Sequence, residues 1–149
     1  MKIVQAADGK RDYMDLLMLA DPSVEMIDRY LDMGELFVMK GEGKAVGVAV
    51  VMEISPEECE LKNLAVCEKC QKRGYGRQML EFLFGHYAGK YKTMLVGTAE
   101  TGEGTVEFYQ KNGFCYSHSI PGFFEKNYFP PIYEGGQRLR HMVCLKRKL

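Results

Sequence analysis

Apolar residues in this chain fall into short β-rich runs separated by stretches with helical spacing. Lys2–Ala6 predicts a strand. Asp12–Ala20 predicts a helix with Tyr13, Leu16, Leu17 and Ala20 on one face. Asp21-Pro22 reads as a cap followed by proline at the first helical position, opening a helix that Met33-Gly34 closes. Glu35–Lys40 and Lys44–Glu53 are strands around GEG, a hairpin signal, and Glu60–Val66 is a third strand of that group. From Gly74 to Tyr87, core spacing of Met79, Leu80, Leu83, Phe84 and Tyr87 predicts a helix. Lys92–Gly97 predicts a strand, and Thr105–Asn112 a short helix that Gly113 can cap. Strands at Tyr116–Ile120 and Arg138–Leu145 flank GFFEKNYFPPIYEGG, a stretch of aromatics and turn formers. The predicted order is β-α-α-β-β-β-α-β-α-β-β, a mixed α/β sheet flanked by helices in one domain over residues 1–149.

Composition narrows the function classes. With 149 residues, 46% of them hydrophobic, the chain has the length and content for one core. Formal net charge is +0, which speaks against a nucleic-acid binder. The longest apolar run, AVGVAVVM, falls well short of the ~20 residues a membrane helix needs, so no membrane partner is expected. The start, MKIVQAADGKRD, lacks an apolar signal region, and the five scattered cysteines suit reduced thiols; both point to the cytoplasm.

The most informative stretch is QKRGYGRQ, Gln71–Gln78, between a strand and a helix. The first turn of a helix carries unpaired N–H groups and positive potential, and such an end binds phosphate. Gly74 and Gly76 let a bulky anion approach the backbone, while Lys72, Arg73 and Arg77 add charge. The loop lacks the third glycine of the dinucleotide fingerprint and the GK[ST] of an ATPase loop. Alone, it also describes an ordinary strand–helix turn with a solvated basic face. Its context is more specific. LAVCEKCQKRGYGRQML resembles the acetyl-CoA-binding motif of the GNAT N-acetyltransferase superfamily, and VEFYQKNGF, Val106–Phe114, resembles that family's second motif. The two occur in the family's order with a strand between them.

The resemblance implies a GNAT-like fold with a central splayed mixed sheet, acetyl-CoA as co-substrate, and acetyl transfer to a primary amine of a small molecule or peptide by direct attack. It places pantetheine along Leu64, Ala65 and Val66, with the Val66 N–H stabilising the developing oxyanion. Pyrophosphate falls on the N–H groups of Gln71, Lys72, Arg73, Gly74, Tyr75, Gly76 and Arg77. Tyr109 matches the family's general acid, and a phenol stays protonated at neutral pH. The residue is also a natural core aromatic on a short helix. Glu60 stands where several members carry a catalytic glutamate; in the acidic run ISPEECE it can equally be a solvated acid. Glu100, Glu103 and His118 are secondary candidates for the base. Gly102 stands where many members have an asparagine, a contact that Thr98, Thr101 or Glu103 would have to supply.

Cys67-x-x-Cys70 has no second Cys-x-x-Cys pair, so no metal is expected. Phe123, Phe124, Tyr128, Phe129 and Tyr133, with Glu125 and Glu134, suit a cationic acceptor, a packed turn or a homodimer contact. The alternative reading is a non-catalytic acyl-CoA-binding or interaction module on the same fold.

Overall fold

The GEG hairpin forms as read. Strands β2 (Glu35–Gly41) and β3 (Lys44–Ser55) are joined through Glu42 and Gly43, both left-handed at φ 52° and 77°. Two positive φ values in a two-residue turn match the right-handed twist of the flanking strands. The computed structural model describes residues 1–101 and 104–149. These residues form two compact units, Met1–Lys92 with Leu149, and Thr93–Lys148.

In the first unit, β1 (Lys2–Ala6), β2, β3 and β4 (Glu58–Val66) make an antiparallel sheet in that order. Helices α1 (Met14–Ala20) and α2 (Val24–Leu31) cover one face. There Leu17, Ile27, Tyr30 and Leu31 pack on Leu36, Val38, Val48, Val50 and Ala65. Truncating a fully buried leucine such as Leu17 in such a cluster typically costs about 2–5 kcal/mol. Helix α3 (Tyr75–Tyr87) covers the other face, where Phe37 meets Phe82, His86 and Tyr87 edge-on. Tyr87 also donates to Glu35 at 2.7 Å. Burial alone would raise the Glu35 carboxyl, but hydrogen bonds from Tyr87 and Gln5 outweigh it and hold the group below its ordinary value.

The second helix starts later than Asp21-Pro22 suggests. Ser23 is its N-cap, accepting from the Met26 N–H at 3.1 Å. Asp21 is instead buried, accepting from the Tyr30 hydroxyl at 3.1 Å and the Ser23 N–H at 3.2 Å. Asn63 of β4 donates to the Tyr30 hydroxyl and to the Leu17 carbonyl, so a polar chain pins both helices to the sheet.

The second unit holds an antiparallel sheet ordered β5 (Thr93–Ala99), β9 (Met142–Lys148), β6 (Cys115–Ile120). Helix α4 (Thr105–Lys111) follows β5 and ends at Gly113, φ 91°. The aromatic stretch is more ordered than its composition suggests. It contains α5 (Phe123–Asn127) and a small hairpin, β7 (Tyr133–Glu134) and β8 (Gln137–Arg138), turned by Gly135-Gly136. Phe124 and Tyr128 are buried while Phe129 and Tyr133 are exposed. The expected strand Arg138–Leu145 is therefore divided between β8 and β9.

Candidate functional site

Strand β4 supplies one edge of the candidate site. All its odd positions from Cys59 to Ala65 are buried, which reads as unbroken alternation. The register shows otherwise: Val51 faces Leu61 and Val50 faces Asn63, so Lys62 is an extra residue, a β-bulge. Leu61 therefore shares the α3 face with Val51, whereas Asn63 and Ala65 share the α1–α2 face with Val50 and Val48. At the end of the strand the Cys67 N–H donates to the Val46 carbonyl of β3 at 2.7 Å. Alternation then turns the main-chain groups of Leu64 and Val66 to the opposite edge, away from β3.

The loop that follows begins with a 3₁₀ turn at Glu68–Cys70 and reaches α3 through two left-handed residues, Lys72 (φ 64°) and Gly74 (φ 84°). The first α-helical bond runs from the Gln78 N–H to the Gly74 carbonyl, so the N–H groups of Tyr75, Gly76 and Arg77 have no acceptor within the helix. A Cβ built on Gly74 meets no atom within 4 Å, so the space above this turn is open. The Gln71 side chain donates to the Val66 carbonyl at 2.9 Å and ties the loop back to the strand edge. Gln71, Lys72 and Arg73 are exposed; Tyr75 and Gly76 are half-buried. Arg77 pairs with Glu81 one turn along the helix at 3.1 Å. Among the described residues Lys72 and Arg73, the two cations that flank the Gly74 turn, have no such partner; nor has Lys69 in the 3₁₀ turn.

The proton-transfer candidates are placed as follows. Glu60 sits in β4 opposite Met52, on the α1–α2 face, where its Oε2 accepts from Lys62 at 3.1 Å. Tyr109 is buried in α4, packed edge-on with Phe108 and Phe114 at centroid distances of 5.2 and 5.4 Å. Burial pushes its phenol well above the ordinary value, so it remains protonated. Thr98 is engaged with Thr105 at 2.9 Å between hydroxyl oxygens. Glu100 and Thr101 line a pocket in the second unit. His118 is exposed, its Nδ1 3.0 Å from the Ser117 hydroxyl. Gly102 and Glu103 lie outside the described residues.

Comparison with known proteins decides the family. Residues 32–115 match the model of the acetyltransferase (GNAT) domain. The chain belongs to the GNAT acetyltransferase family. The acetyltransferase is 32% identical over 146 residues to the uncharacterized N-acetyltransferase YvbK of Bacillus subtilis, covering 97% of this chain and 94% of that protein. It superposes with a TM-score of 0.95 on a GNAT family acetyltransferase from Elizabethkingia anophelis with acetyl-CoA bound, at 38% identity over 99% of this chain and 97% of that one. A Bacillus subtilis acetyltransferase in complex with CoA matches at TM-score 0.89 and 32% identity, with 99% and 98% coverage.

Some features of this acetyltransferase escape the sequence. Arg138, Arg140 and His141 join Glu100 and Thr101 at one pocket although they lie about forty residues apart. The visible hint is the alternation of two arginines around Leu139. The five cysteines are free thiols, and among the described residues no group of three or more His, Cys, Asp or Glu could hold a metal. Cys59 is buried, which pushes its thiol up to about 12; Cys115 is exposed. Alkylating the native protein with iodoacetamide at pH 8 is expected to label Cys115 and spare Cys59. Peptide mass mapping that finds Cys59 modified as fast as Cys115 would contradict the burial.

Proposed function

We propose that residues 1–149 act as one cytoplasmic N-acetyltransferase domain. It moves the acetyl group of acetyl-CoA to a primary amine by direct attack while both substrates are bound. The observation that carries this reading is the Gly74 turn, an open left-handed bend at the start of α3, with N–H groups behind it that have no acceptor within the helix and Lys72 and Arg73 beside it. These features fit a pyrophosphate.

When bound, acetyl-CoA supplies an activated acetyl group as a thioester. The chain's own groups do the rest. The outward main-chain edge of Leu64–Val66 aligns the extended arm, with the Ala65 side chain turned into the core beneath it. The Val66 N–H donates to the carbonyl oxygen as negative charge grows there. Glu60 takes the proton from the incoming ammonium, directly or through water; its Oε1 is the acceptor, because Oε2 is held by Lys62. Tyr109, kept neutral by burial, returns a proton to the leaving sulfur.

Ligand linkage tests the reading. At a concentration of about 100 Kd, acetyl-CoA is expected to stabilise the protein by about 2.7 kcal/mol, with NADH and ATP giving far less. A thermal-shift titration with no response to acetyl-CoA or CoA would remove the cofactor assignment. Thiol release in the presence of amines separates an enzyme from a binding module.

A further inference from the structure

Cys67 and Cys70 bracket the 3₁₀ turn between β4 and α3, within the first unit. That turn is firmly held. The Cys67 N–H donates to the Val46 carbonyl at 2.7 Å, the Cys70 N–H to the Cys67 carbonyl at 2.8 Å and the Gln71 N–H to the Glu68 carbonyl at 3.4 Å. The Gln71 side chain reaches back to the Val66 carbonyl at 2.9 Å, so both ends of the turn are tied down. A four-residue turn closed in this way keeps its end Cα atoms within about 7 Å of each other. A disulfide needs Cα atoms about 4.4–6.8 Å apart. Both residues are half-buried free thiols, open to a small reagent. Of the five cysteines only these two share a turn: Cys59 is buried in β4, Cys115 stands on β6 and Cys144 on β9.

Neither sulfur takes part in the acetyl transfer proposed above. We propose that Cys67 and Cys70 form a reversible modification site, which a low-molecular-weight disulfide such as oxidised glutathione converts to an intramolecular disulfide. The thiolate of one cysteine attacks a sulfur of the small disulfide, forming a mixed disulfide and expelling one small thiolate. The second cysteine then attacks the protein-side sulfur of that bond. The Cys67–Cys70 bond forms and the other small thiolate leaves. Two electrons pass from the protein sulfurs to the small disulfide, and the two cysteine protons end on the two small thiols. Folding has already met the entropy of bringing the ends of this turn together, so the ring closes more readily in the native chain than in the unfolded one. In a reducing compartment the pair rests as thiols and closes when the ratio of oxidised to reduced small thiol rises.

The test treats the native protein with oxidised glutathione at about pH 8, alkylates the remaining thiols and maps the peptides by mass. The Cys67 and Cys70 segments should be found joined, lighter by two hydrogen atoms, while the exposed Cys115 carries glutathione. Dithiothreitol should restore both thiols. C67S and C70S, made singly, should each trap one glutathione on the surviving cysteine, because the thiol that resolves the mixed disulfide is gone. Mixtures of oxidised and reduced glutathione give the equilibrium constant for ring closure, which should be about tenfold or more larger in the native protein than in urea. The wild-type chain supplies this measurement, so nothing hangs on the folding of a variant. A separate glutathione on each of Cys67 and Cys70, no reaction at either while Cys115 reacts, or a native constant no larger than that in urea overturns the proposal. None of these measurements involves acetyl-CoA, so the acetyltransferase reading stands or falls separately.

Discussion

Tyr109→Phe is expected to lower kcat by roughly 10²–10⁴-fold, the usual range for loss of a general acid, with acetyl-CoA affinity unchanged. The substitution keeps the ring that packs on Phe108 and Phe114. Among the described residues the hydroxyl has no hydrogen-bond partner, so its removal should leave the melting temperature near that of wild type. Burial raises the phenol's pKa, so the donor form persists through neutral and mildly alkaline pH. The deficit should therefore shrink as pH falls, because solvent then protonates the leaving sulfur. Measuring kcat across pH, with acetyl-CoA Kd alongside, checks this. An unchanged kcat at every pH would take Tyr109 out of the mechanism and leave Glu60 as the assigned proton-transfer group.

Gly74→Val is expected to weaken acetyl-CoA binding by roughly ten- to hundredfold or more, the value of one or two hydrogen bonds to a charged group. Two effects must be separated. A side chain at φ 84° strains the backbone, at a cost of roughly 1–2 kcal/mol in stability. It also fills the space through which a phosphate reaches the helix N–H groups. Because a Cβ there meets no protein atom within 4 Å, internal clash does not contribute. Gly43 is the control: it is left-handed at φ 77° with equally open surroundings, but sits in the β2–β3 turn. Gly43→Val should show comparable destabilisation and normal affinity. Calorimetric titration of both variants gives the answer, and equal Kd values would reduce Gly74 to a backbone role.

The contrast between local and distant information explains what could be read from the chain. The GEG hairpin, the α3 core stripe and the Gly74 loop are encoded within a few residues each, and the fold delivers them where the pattern puts them. Asp21-Pro22 misleads because the aspartate's partners, Tyr30 and the Ser23 N–H, become visible only when α2 docks on the sheet. The β7–β8 hairpin was concealed by its shortness, two residues a side, within an aromatic run whose burial depends on α5. The arginine pocket depends on Glu100 and His141 being joined across the β5 end, a contact that no local spacing carries.

The bulge in β4 has one further consequence. Lys62 is supernumerary: if it were absent, Leu61 would be followed directly by Asn63, and simple alternation would still send Leu61 toward α3 and Asn63 toward α1 and α2. As far as the facing of side chains is concerned, the core has no need of this residue. What Lys62 adds is a local bend and an ammonium held 3.1 Å from the Glu60 carboxylate and 5.9 Å from the centre of the Tyr30 ring. The chain length of β4 is therefore set by something other than packing. A shortened strand would keep the facing of its side chains and lose the local bend and added twist that a bulge brings.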